Sequence, residues 1–140
     1  IRRDTSSRLP APRRKVSRHV ALVAGTDLVQ IERIAATVDR YGERFLRRVF
    51  TAGELADCGG RPASLAARWA AKEAAAKALG TGIGAVAFQE IEVVQDDCGC
   101  PGLRLYGAAA ELAARRGLTD WAVSLAHDGG LALAFVVAMG

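Results

Sequence analysis

Residues 68–84 read R-W-A-A-K-E-A-A-A-K-A-L-G-T-G-I-G, and this stretch decides the fold. Neither glycine nor proline interrupts residues 63–79, which are rich in alanine, so the run predicts one long helix. Trp69, Glu73 and Lys77 follow one another at intervals of four residues and therefore share one face of that helix. The sequence thus predicts a central helix that carries a carboxylate and an ammonium group one turn apart.

Glycines follow this helix at alternating positions. Gly80 stands where a helix commonly ends in a left-handed residue, and Gly82 and Gly84 keep the exit loop free of side chains. The backbone N–H groups of such a loop can approach an anion closely. With Glu73 and Lys77 beside it, the loop indicates a site for phosphates and a metal ion. The plainer alternative is a surface ion pair followed by a helix cap.

Length and composition limit the classes of protein to consider. A chain of 140 residues, 51% of them apolar, is typical of one domain with a substantial core. No apolar run reaches the roughly 18 residues that a transmembrane helix needs. Cys58, Cys98 and Cys100 do not form a four-ligand pattern, and a single C-x-C is weak evidence for zinc. We therefore expect a reducing, cytoplasmic location.

The net charge of +4 is distributed unevenly along the chain. Residues 1–19 hold seven Lys or Arg against Asp4 alone, so the remaining residues are slightly acidic overall. This segment is also rich in serine and proline and predicts a disordered basic tail, followed by one domain over residues 20–140. The tail could contact nucleic acid or an acidic surface, or it could be the remnant of an organellar presequence or a flexible gene start.

The first strand carries an acidic residue. Residues 19–29 form a β-branched apolar run that predicts a buried strand, interrupted by Gly25. Asp27 lies within this run, where a carboxylate is costly unless it is paired, hydrogen-bonded or bound to a cation. Asp27 is therefore a second candidate metal ligand. The alternative is a local turn or a cap for the following helix.

The rest of the pattern predicts an α+β fold in which a mainly antiparallel sheet packs on the long central helix. A helical region over residues 31–49 is broken at Gly42 and is followed by a capping box at Thr51-x-x-Glu54. Strands are predicted at 88–95, 103–105, 121–126 and 131–137, with a helix at 108–116. The last two strands form a hairpin, and His127 lies at its mouth, where a structural role is the commoner one.

Six sequence blocks begin at Gly25 (GTDLVQIERI), Phe50 (FTAGE), Ala66 (AARWAAKEAAAKALGTGIG), Phe88 (FQEIEV), Gly99 (GCPGLRLYG) and Val123 (VSLAHD). In this order and spacing they resemble the holo-acyl-carrier-protein synthases, the small 4′-phosphopantetheinyl transferases. The resemblance covers residues 24–137 and implies the fold of that family. It implies transfer of 4′-phosphopantetheine from coenzyme A to a serine of apo-acyl carrier protein, releasing adenosine 3′,5′-bisphosphate, in fatty-acid or polyketide biosynthesis.

The resemblance also implies roles for the central residues. Asp27 and Glu73 match the family's ligands for Mg²⁺, a cation that usually takes one or two carboxylates plus substrate phosphates. Lys77 would reach a pyrophosphate oxygen as a point charge. Glu73 would remove the serine proton, directly or through a water. Asp27, Glu73 and Lys77 are therefore the predicted catalytic residues.

Further residues are implied to bind the substrates. Arg68 and His127 match positions that hold the nucleotide end of coenzyme A, and the backbone amides of Gly80, Thr81 and Gly82 would line the same groove beside Lys77. Family members use their first helix to dock an acidic carrier protein, which suits the basic residues Arg33, Arg40, Arg44 and Arg47.

Family members of this length are commonly homotrimers with active sites between subunits, so we expect that assembly, with neither nucleic acid nor membrane as a partner. The chain departs from the family pattern at Thr26. It also departs from it at Ala126, a position where a hydroxyl is common. Two alternatives remain open. One is a relative that binds coenzyme A or a carrier protein without transfer, and the other is a nucleic-acid binder that uses the basic tail.

Overall fold

The computed structural model of the protein describes residues 21–140, and the predicted disordered tail lies outside them. Within the described part, no helix combines the length and the apolar character needed to cross a membrane. The helices and strands follow one another as β1 (Leu22–Gln30), α1 (Ile31–Tyr41), α2 (Glu43–Val49), α3 (Ala52–Cys58), α4 (Pro62–Ala78), a 3-10 turn (Phe88–Glu90), β2 (Ile91–Gln95), β3 (Pro101–Leu105), α5 (Gly107–Arg115), β4 (Asp120–Asp128) and β5 (Leu131–Met139).

The strands form two antiparallel sheets around α4. The larger sheet has the order β1-β5-β4, so the strand formed last along the chain lies in its centre. β2 and β3 pair as a separate hairpin. The predicted α+β class and antiparallel pairing are confirmed. The predicted strand at 88–95 begins only at Ile91, because the carboxylate of Glu90 accepts the N–H of Ala87 (2.7 Å) and closes the preceding turn.

The long central helix is confirmed, and it is buried on almost every side. From Leu65 to Leu79, every residue is buried except Trp69, Glu73 and Lys77. Alanines occupy most of the buried positions, and their small side chains allow the neighbouring strands to come close. The predicted four-residue spacing therefore marks the one line along which this part of α4 meets solvent.

Gly25 allows β1 to pack directly against α4, and the predicted interruption of the strand at this residue does not occur. β1 runs unbroken from Leu22 to Gln30. A Cβ atom added at Gly25 would lie 1.9 Å from the carbonyl oxygen of Ala74. The missing side chain is required because another backbone occupies its place.

Substituting Gly25 by alanine is expected to lower the free energy of unfolding by about 1–3 kcal/mol, the usual cost of overpacking, because a backbone atom cannot move aside as a side chain can. Gly102→Ala is the matched control, since its new Cβ would meet the Cγ2 of Val94 at an ordinary 3.7 Å. Urea unfolding of both variants checks this prediction. Equal midpoints for the two variants would show that β1 and α4 separate at little cost.

A buried ion pair joins α3, α4 and β2. Lys72 and Glu54 are both fully buried, and the Lys72 Nζ lies 2.6 Å from the Glu54 Oε1. Nζ also donates to the carbonyl oxygens of Phe88 (3.0 Å) and Ile91 (2.7 Å). Burial lowers the pKa of Lys72, and the charge of Glu54 opposes that shift. Every donor of this ammonium group therefore has a partner.

Glu54 satisfies backbone groups on two elements as well. It forms the predicted capping box of α3, in which Oε1 accepts the N–H of Thr51 (2.9 Å) and the Thr51 Oγ1 accepts the N–H of Glu54 (3.2 Å). Its Oε2 accepts the N–H of Val93 at 3.0 Å. The short helix α3 is thus fastened to β2 through one side chain.

Candidate functional site

The structure brings Asp27 and Lys77 together between β1 and α4. The Lys77 Nζ donates to the Asp27 Oδ1 at 2.9 Å and to the carbonyl oxygen of Thr26 at 3.1 Å. Asp27 lies inside β1, so the alternative of a helix cap does not hold, and Gln30 precedes α1 instead. The two partners differ in burial, since the side chain of Lys77 is 51% exposed and that of Asp27 only 14%.

Glu73 completes this cluster one turn before Lys77. Burial raises the pKa of its carboxyl group, the negative charge of Asp27 raises it further, and Lys77 opposes both. Two carboxylates therefore repel each other, with a single ammonium group beside them. A cation bound between the carboxylates would relieve that repulsion.

The donor set fits a hard divalent cation that keeps part of its hydration shell. The Oδ2 of Asp27 is buried and lacks a hydrogen-bond partner within the described residues. In the same part of the chain, no three His, Cys, Asp or Glu side chains converge on one point. Two carboxylates without further protein ligands are the arrangement typical of Mg²⁺ sites completed by water and substrate phosphates.

The glycine-rich loop after α4 has the predicted backbone but not the predicted free amides. Gly80 and Gly82 have positive φ values of 81° and 71°. However, the N–H of Gly80 donates to the carbonyl of Lys77 (2.9 Å), and those of Thr81 and Gly82 both donate to Ala76 (3.2 Å each). The last turn of α4 needs these donors for its own carbonyls. These three N–H groups are therefore already hydrogen-bonded, and a ligand could contact only the open surface of the loop.

Arg116, at the end of α5, lies over this loop and was missed by the sequence interpretation. A Cβ atom at Gly80 would be 2.4 Å from the Arg116 Nη1, so the guanidinium group packs against the glycine. No sequence pattern connects a residue after α5 to the loop after α4. The structure thus adds a cation at the place where the sequence predicted an anion site.

Arg68 and His127 do not join the central cluster in the described chain. Arg68 is only 4% exposed, its Nη1 donates weakly to the carbonyl of Ser64 (3.5 Å), and its buried Nε has no hydrogen-bond partner among residues 21–140. His127 is exposed near the end of β4, opposite Ala132. Within residues 21–140 neither side chain has a hydrogen bond or ion pair to Asp27, Glu73 or Lys77.

The predicted docking arginines form an exposed surface on α1 and α2. Gly42 separates these helices as predicted. Arg47 pairs with Glu43 at 2.9 Å, and Arg40 lies 5.2 Å from the ring centre of Tyr41. Arg44 lines a cavity of about 460 Å³ together with Thr37, Tyr41, Phe45 and Arg48. Arg33 is exposed on α1, and the surface therefore combines positive charge with aromatic side chains.

Comparisons with known proteins identify the family of the chain. The chain belongs to the 4′-phosphopantetheinyl transferase superfamily, whose sequence profile matches residues 24–136. A holo-[acyl-carrier-protein] synthase of Herpetosiphon aurantiacus is 54% identical over 126 residues, covering 85% of this chain and 99% of that protein. One of Gloeobacter violaceus is 49% identical, with coverage of 83% and 91%. Within the superfamily, the protein is an enzyme of the holo-[acyl-carrier-protein] synthase type.

Solved structures show the same fold. The holo-[acyl-carrier-protein] synthase of Helicobacter pylori, in complex with coenzyme A, matches with a TM-score of 0.76 at 33% identity, covering 82% of this chain and 98% of that one. The enzyme of Neisseria meningitidis matches with a TM-score of 0.75 at 38% identity, with coverage of 83% and 96%. The predicted family and fold are confirmed.

Proposed function

We propose that the protein transfers 4′-phosphopantetheine from coenzyme A to a serine of apo-acyl carrier protein, with Mg²⁺ as cofactor and adenosine 3′,5′-bisphosphate as the second product. The observation that carries the proposal is the cluster of Asp27, Glu73 and Lys77, in which the buried Oδ2 of Asp27 lacks a donor within the described residues and the neighbouring carboxyl group of Glu73 has a raised pKa. The relatives' name and the coenzyme A bound to one of them support the substrates.

The chemistry explains why these residue types are required. Asp27 and Glu73 would hold the cation, which supplies Lewis-acid stabilisation of the charge on the pyrophosphate oxygens. Lys77 lies at the exposed end of the cluster, where its ammonium group can leave Asp27 and contact a phosphate oxygen. Glu73 would also accept the serine proton, directly or through a water.

The carrier protein would dock on the surface formed by α1 and α2. The exposed arginines Arg33, Arg40, Arg44 and Arg47 provide the positive charge that an acidic helix requires. Tyr41 and Phe45 line the neighbouring cavity and can receive an apolar side chain from the same partner. We place this reaction in fatty-acid or polyketide biosynthesis, and in the cytoplasm.

A mass-spectrometric transfer assay tests the proposal. The protein, coenzyme A, Mg²⁺ and an apo-acyl carrier protein are combined, with EDTA in a parallel sample. The expected result is a carrier that gains one phosphopantetheine group, a gain that EDTA abolishes and added Mg²⁺ restores. Bound coenzyme A without transfer would indicate the alternative of a binding protein. The absence of both binding and transfer would overturn the proposed function.

An apolar surface that none of the described residues covers supports the proposed homotrimer. The face of the larger sheet turned away from α4 carries six exposed large side chains, including Phe135 at 47% and Leu28 at 59% exposure, although a sheet face of this kind is normally covered. His127 lines a shallow cavity of about 200 Å³ at the rim of this face, beside Leu28 and Leu133. A subunit seated on the face would therefore reach the predicted nucleotide-binding histidine. The six side chains are those of Leu22, Leu28, Leu131, Leu133, Phe135 and Met139.

Replacing Phe135 by arginine is expected to lower the mass measured by sedimentation from that of an oligomer to that of a monomer, because the charge would be buried unpaired in the interface. Tyr41→Arg is the control, since it places the same charge at an aromatic residue of similar exposure (51%) on α1. An unchanged mass for Phe135→Arg would show that the sheet face is not the subunit interface.

A further inference from the structure

Two of the three cysteines lie in one tightly closed turn between β2 and β3. The segment Asp96-Asp97-Cys98-Gly99-Cys100 connects the strands, and both Cys98 and Cys100 are exposed free thiols. Cys58 differs from them, because it is fully buried in the core and its pKa is raised by that burial. The chain therefore offers a pair of accessible thiols and one inaccessible thiol. Neither member of the pair belongs to the site described above.

The turn is held by hydrogen bonds that bring the two cysteines together. A single oxygen, the Asp96 Oδ1, accepts the N–H of Cys98 (2.9 Å) and also that of Cys100 (2.8 Å). The main chain of Asp96 donates to the carbonyl of Cys100 (3.0 Å) and accepts the N–H of Gly99 (2.9 Å). The backbones of both cysteines thus converge on one side chain.

Gly99 lies between the two cysteines with a backbone conformation that favours glycine. Its φ is +79°, in the left-handed region, and a Cβ there would meet no atom within 4 Å. Residues with side chains rarely adopt that φ, so glycine lets the chain reverse between the two cysteines without strain. The chain therefore bends at the one residue that separates the thiols.

We propose that Cys98 and Cys100 form a reversible dithiol–disulfide site that reacts with low-molecular-weight disulfides. The thiolate of one cysteine attacks a sulfur of the small disulfide and expels one thiolate. The thiolate of the second cysteine then attacks the mixed disulfide, closes the Cys98–Cys100 bond and expels the other thiolate. The protein loses two electrons and two protons, and the small disulfide is reduced to two thiols.

The short loop between the two cysteines and their exposure indicate that oxidation of the site is reversible. A disulfide across one residue closes only a very short loop, so it restricts the unfolded chain little and adds little stability. Exposed or strained disulfides of this kind have more oxidising potentials and are readily reduced by thiols. The site therefore fits a modification that follows the thiol–disulfide balance around the protein, rather than a permanent structural cross-link.

Oxidised glutathione is the probe for this proposal. The full chain is treated under native conditions, quenched with acid, digested with trypsin and analysed by mass spectrometry. Arg68, Lys72 and Lys77 lie between Cys58 and the pair, so trypsin separates the buried cysteine from the other two. The expected product lacks two hydrogen atoms on the peptide of residues 78–104, returns to the dithiol with reduced glutathione, and leaves Cys58 unmodified.

Two aspartates provide a matched pair of variants. Asp96→Ala removes the oxygen that holds both cysteines and should lower the ratio of ring-closed product to mixed disulfide several-fold. Asp97→Ala removes the same charge at the adjacent residue, whose side chain makes no hydrogen bond within the described residues, and should leave the ratio unchanged. The wild-type chain in urea should show the low ratio as well.

Three results would overturn the proposal. The first is a native chain that retains glutathione on both cysteines and does not close the ring. The second is a disulfide that joins two protein molecules. The third is an equal ratio for the Asp96 variant, the Asp97 variant and the chain in urea, because the turn would then contribute nothing to ring closure.

Discussion

Replacing Glu73 by glutamine is expected to reduce phosphopantetheinyl transfer by about 10²–10⁴-fold and, in the absence of metal, to leave the protein at least as stable as the wild type at neutral pH. The two effects have opposite signs because the carboxylate that we propose to take part in the reaction is unfavourable to the fold. It is partly buried, and it faces the charge of Asp27. Glutamine keeps the shape but neither accepts the serine proton nor binds the cation as a carboxylate does.

The pH dependence of stability follows from the raised pKa of Glu73. The folded state holds this proton more tightly than the unfolded state, in which a glutamate titrates near pH 4.3. The metal-free wild type should therefore lose stability as the pH rises from that value through the raised pKa of the folded state, and remain at the lower level above it. The Glu73→Gln variant should lack this decrease.

Thermal unfolding between acid and neutral pH, together with the transfer assay, checks both parts of the prediction. Glu111→Gln is the control, because Glu111 is exposed on α5 and has no ion pair or hydrogen bond in the described residues. Wild-type transfer by Glu73→Gln would remove Glu73 from the catalytic residues. Mg²⁺ should raise the stability of the wild type and of Glu111→Gln but not that of Glu73→Gln.

Substituting Lys72 by methionine is expected to lower the free energy of unfolding by about 3–5 kcal/mol, because the charge of Glu54 would remain buried without its partner. The carbonyl groups of Phe88 and Ile91 would also lose their hydrogen bonds to Lys72, and leaving them unsatisfied lowers the free energy of unfolding further. Lys77→Met is the matched control for stability. It removes the same charge from the same helix, but the side chain of Lys77 is 51% exposed, so the loss should be smaller than for Lys72→Met, although Asp27 would remain beside Glu73 without its ammonium partner.

A double variant separates the cost of burying charge from the value of the pair. Lys72→Met combined with Glu54→Gln removes both charges and keeps an acceptor for the capping box of α3. Burial lowers the pKa of Lys72 despite the charge of Glu54, which indicates that removing the charged ammonium group from water costs free energy. The double variant should therefore recover a large part of the loss in urea unfolding. A double variant as unstable as Lys72→Met would show that the hydrogen bonds, and not the charges, dominate.

The sequence predicted the elements whose signals are local. The spacing of Trp69, Glu73 and Lys77 identified the accessible face of α4, and Gly42 marked the boundary between two helices. The prediction was wrong where packing outweighs propensity. Gly25 was expected to interrupt a strand, but the approach of α4 requires glycine there without disturbing the pairing of β1.

Only those parts of the site that residue type and spacing reveal were predicted from the sequence. Asp27 and Lys77 are fifty positions apart, yet each was recognised by its own context, and the structure places them 2.9 Å apart. The role of Lys72 was missed, although a lysine surrounded by alanines on the buried side of a helix is a signal that could have been read. Arg116 gave no signal, because its contact with Gly80 depends entirely on how α5 packs.

The central place of β5 has a consequence for synthesis on the ribosome. β1 is made early, but among the described residues it pairs only with β5 in the larger sheet, and so does β4. In a growing chain that has not yet added residues 131–139, β1 and β4 therefore have no strand to pair with. The central strand of the sheet on which α4 packs is also missing. Pairing of such distant segments is slow, and unpaired edges favour aggregation. This nascent chain is thus most exposed to chaperones and proteases just before its last strand emerges.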